Sequence, residues 1–155
     1  MKFESPDGSI FTLTVDRYEF PDEELGPTED NPAEDFQTCR FLVVSHRFRN
    51  SQGEWRAAGP TMTTTELQRL MDWLDSVQRR QPTANGVYFT ERDLEFSVNP
   101  DVSVLSVHAY GDFLPAWAER KTTLKIAFPV SEIQFGEVLE SLRSQLRAFP
   151  GRPPV

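Results

Sequence analysis

Residues 58–80 read AGPTMTTTELQRLMDWLDSVQRR, and within them the hydrophobic period changes. Thr63 followed three residues later by Glu66 is a capping box, and Leu67, Leu70, Met71, Leu74 and Val77 then recur at helical spacing. The spacing predicts a helix from there to about Arg80, stopped by Gln81-Pro82, with Trp73 beside the apolar stripe. Upstream of this switch the apolar segments read as strands.

FLVVSHRFR (41–49) places Leu42, Val44, His46 and Phe48 on one face and Ser45, Arg47 and Arg49 on the other, a strand whose first half is apolar on both faces. NSQG (50–53) turns it into a returning strand that carries Trp55. At the start of the chain, Pro-Asp-Gly between MKFE and IFTLTV predicts an opening hairpin. Phe11, Leu13 and Val15 share one parity and Tyr18 and Phe20 the other, so a bulge is expected around Asp16-Arg17.

Downstream of the helix, strands are expected at about 87–90, 94–98, 102–110 and 122–130, with GDFLPAWAERK (111–121) as a loop between the last two. Ser131 and Gln134 have capping-box spacing before Phe135, Val138, Leu139, Leu142 and Leu146, the stripe of a second helix that Pro150 stops. No strand–helix alternation runs through the chain, which argues against a doubly wound parallel sheet. The expected fold is α+β: a mostly antiparallel, twisted sheet, or two packed sheets, of about eight short strands with two amphipathic helices. Its 155 residues suit a single globular domain over 1–150, with 151–155 as a frayed tail.

The charge is unevenly placed. The chain has 24 acidic and 16 basic residues; eight of the acids and none of the bases lie in residues 18–39, so the remaining 16 acids balance the 16 bases. The whole net charge of −8 therefore resides in one Pro-rich stretch, expected as a long acidic loop at about 21–38. Nucleic acid, which needs clustered Lys and Arg, is disfavoured as a ligand; a basic partner is compatible.

Catalytic motifs are absent: there is no G-x-S-x-G, H-E-x-x-H, P-loop or G-x-G-x-x-G. Cys39 could pair with His46 or His108 as a nucleophile, but both histidines sit in alternating strands, where a packed or hydrogen-bonded imidazole is the commoner state. Glu29, Asp30, Asn31, Glu34 and Asp35 offer hard oxygens for calcium without the spacing of a calcium loop. No metal or cofactor is expected. Arg47 and Arg49 could hold an anion or pair with Glu54 across the hairpin. Trp117, in a loop with Phe113 and Leu114, is either a cap on the core or an interface anchor. A single cysteine and no signal-peptide or membrane-length apolar run point to a cytoplasmic protein.

One resemblance joins these pieces. Tyr18-Glu19-Phe20-Pro21, Asp35 before the 41–44 strand, Gly53-Glu54-Trp55, Gly59-Pro60 leading to Thr65-Glu66-Leu67, and Trp73-Leu74 occur in the order of the WapI-type immunity proteins of bacterial polymorphic toxin systems. Phe89-Thr90-Glu91, Leu94 with Phe96, Pro115-Ala116-Trp117, Phe128-Pro129 and Phe149-Pro150 continue it. Phe36-Gln37-Thr38-Cys39 departs from the family's pattern, where a Trp is expected. The resemblance implies a non-enzymatic antidote that binds and inhibits a toxin domain, in the namesake case an RNA-cleaving one. A basic nuclease would then be met by Asp22, Glu23, Glu24, Glu29, Asp30, Glu34 and Asp35, with Trp117 as a candidate anchor. The competing expectation is a small-molecule or cation-binding domain with the acidic loop as site or lid.

Overall fold

The structure is a computed structural model and describes residues 1–20, 41–119 and 122–151. Two antiparallel sheets of four strands each, with two helices, make up the α+β fold. The first sheet runs in chain order through β1 (Lys2–Glu4), β2 (Ile10–Tyr18), β3 (Phe41–Asn50) and β4 (Gly53–Thr63). Helix α1 (Thr64–Gln78) follows without a connection. The second sheet is again in chain order: β5 (Gly86–Tyr88), β6 (Leu94–Val98), β7 (Val104–Ala109) and β8 (Leu124–Pro129). Helix α2 (Phe135–Ala148) ends the fold.

The core lies where the inner faces of the sheets and the apolar stripes of the helices meet. Phe3 and Phe11 of the first sheet touch Phe96 of the second, and Phe3 also touches Phe128, with ring centroids 5.4–6.3 Å apart. Leu67, Leu70, Trp73, Leu74 and Val77 of α1 and Val138, Leu139 and Leu142 of α2 belong to the same buried cluster. The β2–β3 pairing slips between Val15 and Arg17, the bulge that the parity change demanded. It moves the side chains of β2 to the other face just before the chain leaves the sheet.

Glu66 stitches the switch from strand to helix. Its carboxylate accepts the Thr63 main-chain N–H at 2.9 Å while its own N–H donates to Thr63 Oγ1 at 3.2 Å, closing the capping box. It also accepts the N–H and the hydroxyl of Thr90, both at 2.9 Å. Those bonds divert Thr90 from the sheet, which is why β5 ends at Tyr88 rather than continuing to residue 90.

The second capping box does not form. Gln134 is the N-cap of α2 without a side-chain cap, and Val130–Glu132 form a 3-10 turn instead. Ile133 and Phe135 are both buried; two residues apart on a helix they would point in nearly opposite directions, so the chain stays extended at Ile133 to bring both inward.

Candidate partner-binding surfaces

The β7–β8 connection is pinned to the first sheet by its aromatic side chains. Phe113, in a 3-10 turn over Gly111–Phe113, is buried with its ring 4.8 Å from the His46 imidazole. The Phe113 carbonyl accepts the indole N–H of Trp55 at 3.0 Å. Trp117 then lies edge-on to Trp55, 5.8 Å away at 86°, and Trp55 stacks on Phe48 at 5.0 Å and 6°. A ladder of rings thus runs from the core to the surface. Trp117 is its outermost member and is 51% exposed. It covers the β3–β4 turn, where a Cβ on Gly53 would lie 3.9 Å from its ring. Trp117 is both a cap and a free aromatic face.

Asp22, Glu23, Glu24, Glu29, Asp30, Glu34 and Asp35 lie outside the described residues, as do Cys39, the calcium candidates and the tail 152–155. The points from which the acidic stretch departs are described. The Glu19 N–H donates to the Phe41 carbonyl at 2.8 Å, so the chain leaves and rejoins the sheet at one place. The Tyr18 hydroxyl donates to the Pro150 carbonyl at 2.6 Å, and its ring meets Phe149 edge-on, tying that place to the end of α2. Burial, and then the neighbouring Glu91, push the Glu19 carboxyl above its ordinary range.

This root and Trp117 occupy opposite ends of β3. Phe41 begins the strand; Asn50, paired with Gly53 beneath Trp117, ends it. Ten residues of strand separate them by about 30 Å. The described root of the acidic stretch and Trp117 are therefore at opposite ends of the strand.

The outer face of the first sheet carries a pattern that only register reveals. Lys2 pairs with Thr12, Thr12 with Arg47 and Arg47 with Arg56, which sets three cations in one rank across four strands. In the adjoining rank Arg49 faces Glu54. Glu54 accepts from Arg47 Nε at 2.8 Å and from Arg49 Nη2 at 2.6 Å, and these bonds hold its carboxyl down at about 2. Arg47 and Arg49 thus pair with Glu54, while Arg56 has no ion-pair partner among the described residues. A groove of about 860 Å³ opens on this face, bounded by Lys2, Thr12, Arg47 and Arg56 and by Glu137 and Ser141 of α2.

The histidines are accounted for by packing. His46 is 2% exposed, and burial drives its pKa down to about 3. Thr61 donates its hydroxyl to the Gly59 carbonyl, so its oxygen accepts from His46 Nε2 at 3.3 Å and His46 Nδ1 is left as an acceptor without a hydrogen-bond partner among the described residues. His108, on the outer face of the second sheet, bonds Ser97 at 2.9 Å; burial lowers its pKa, opposed by Glu95. Among the described residues no three His, Cys, Asp or Glu side chains are grouped to hold a metal ion. Tyr88, 69% exposed on β5, is a second surface aromatic that the sequence reading passed over; its signal was its position opposite in parity to buried Val87. Among the described residues, no helix is long and apolar enough to cross a membrane.

Comparison with known proteins agrees with the order of short motifs noted in the sequence. The family model described as the immunity protein WapI-like family matches residues 2–150. No curated protein and no solved structure matches the chain. With almost its whole length matched, the chain belongs to the WapI-like immunity protein family.

Proposed function

We propose that this protein is a non-enzymatic cytoplasmic antidote that binds a cognate toxin domain, a basic nuclease, and blocks the surface with which that enzyme grips nucleic acid. Family membership over residues 2–150 carries the reading as far as immunity. Charge carries it to the class of toxin. All of the net charge of −8 can be assigned to residues 18–39, and a nuclease presents a basic surface to phosphates. Asp22, Glu23, Glu24, Glu29, Asp30, Glu34 and Asp35 supply steering and charge complementarity, and Trp117 supplies a rigid aromatic anchor.

Such an interface is broad. A standard protein–protein contact buries about 800 Å² on each partner, enough to take in both Trp117 and the root of the acidic stretch, about 30 Å apart along β3. The test uses the variable C-terminal domain of a large secreted protein encoded beside this gene. The antidote should form a complex with that domain and abolish its nuclease activity. Replacing Asp22, Glu23 and Glu24 with Asn or Gln should slow association about tenfold at low salt and flatten its salt dependence, with folding stability unchanged. Unchanged association and salt dependence would remove the acidic segment from the interface; failure of the domain to bind at low salt would overturn the reading.

A further inference from the structure

The outer face of the first sheet holds a charge arrangement opposite in sign to the acidic segment. Arg47 and Arg56 stand directly across from each other on β3 and β4, a like-charge pair that costs stability in an isolated sheet. Glu54 is occupied by Arg47 and Arg49, and Lys2 pairs with Glu4 along β1. Arg56 is exposed and uncompensated among the described residues. A like-charge pair that lines an open groove, with Arg56 lacking an ion-pair partner among the described residues, is the arrangement expected where an anion supplies the missing charge.

We propose that this groove binds an extended, carboxylate-bearing peptide segment of a partner protein, laid across the rank from Lys2 to Arg56. Strand spacing sets the fit. Lys2 and Arg56 are three strand steps apart, about 14 Å, and three acidic side chains at alternate positions of an extended peptide span about 13.6 Å. Arg56 offers a planar, forked donor that matches a carboxylate, Arg47 is already held by Glu54 through Nε and Nη2 and adds its positive charge beside it, and Thr12 places a hydroxyl between Lys2 and Arg47 in the rank. Among the described residues that line it, the groove has no Phe, Tyr or Trp on which a base could stack, so a single-stranded nucleic acid does not suit it. At about 860 Å³ it is also several times larger than one small anion requires.

The inference goes beyond the proposed function and is tested without any toxin, so the two stand or fall separately. The probe is a fluorescein-labelled heptapeptide of alternating Thr and Glu, measured by anisotropy at low ionic strength against a Thr–Lys control peptide. The wild-type protein should bind the Glu peptide and not the Lys peptide. Arg56→Gln should weaken binding about tenfold and Arg56→Glu abolish it, whereas Arg143→Glu, on α2, should leave it unchanged. Because Arg56 is exposed, circular dichroism should show every variant folded. No binding by the wild-type protein, or equal weakening by the Arg56 and Arg143 variants, would overturn the proposal. Displacement of the peptide by inorganic phosphate at matched charge would also overturn it, by showing a small-anion site.

Discussion

Trp55 and Phe113 are joined by one hydrogen bond, indole N–H to main-chain carbonyl at 3.0 Å, across 58 residues of sequence. It links β4 of the first sheet to the β7–β8 connection of the second, and Trp117 stands on the result. Trp55→Phe keeps an aromatic ring against Phe48 but leaves the buried carbonyl without its donor. The variant should lose about 1–2 kcal/mol in urea denaturation, and main-chain hydrogen exchange at Phe113 and Ala118 should accelerate as the connection loosens. Unchanged stability and exchange would show that the ring contacts alone position the loop.

Trp117→Ala separates folding from recognition. The side chain is half exposed, so its removal should cost roughly 1–2 kcal/mol of stability, less than a fully buried Trp. If Trp117 is the anchor, the dissociation constant of the toxin complex should rise about 30-fold or more, chiefly through faster dissociation. Tyr88→Ala, on the second sheet, serves as the matched control. A toxin complex weakened by Tyr88→Ala and indifferent to Trp117→Ala would place the interface on β5 and α1 instead.

Glu66 is a structural acid despite its charge. Its carboxylate receives donors from Thr63 and Thr90, joining the start of α1 to the β5–β6 connection. Glu66→Ala should cost about 2–3 kcal/mol, and Thr63→Ala, which removes only the cap, about 1 kcal/mol. Hydrogen exchange at Thr90 should accelerate in the Glu66 variant and not in the Thr63 variant.

His46 makes the fold acid-sensitive, and the sign follows from its lowered pKa of about 3. Between that value and the ordinary 6.5 the unfolded chain binds a proton that the folded chain refuses. Stability therefore falls as pH drops below 6.5, by at most about 1.4 kcal/mol per pH unit for this one group. His46→Leu should flatten that slope in urea titrations between pH 6.5 and 4. Equal slopes for variant and wild type would assign the acid lability to other groups.

Much of the fold was legible because its signals are local. The strand-to-helix switch at Thr63 rests on a capping box and an apolar period contained within fifteen residues, and the bulge in β2 on a change of parity. Both appear where expected. The misplaced cap at Ser131 shows the limit: its spacing was correct, but burial of Ile133 and Phe135 on one side outweighed a surface hydroxyl's preference. Ends of elements shift by two residues for similar reasons, as at Thr90.

The candidate surfaces were legible only as a list of residues. Charge composition singled out the acids and loop context singled out Trp117, but neither contains distance. Hydrogen-bonded register decided that Glu19 and Phe41 root the acidic stretch at one end of β3 while Trp117 covers the other. Register also brought Lys2, forty-five residues before Arg47, into one rank with Arg47 and its hairpin partner Arg56. Period and capping are set by neighbours along the chain, so residue order alone carries them. Which side chains share a surface depends on strand pairing and on the packing of two sheets, and those are properties of the folded chain.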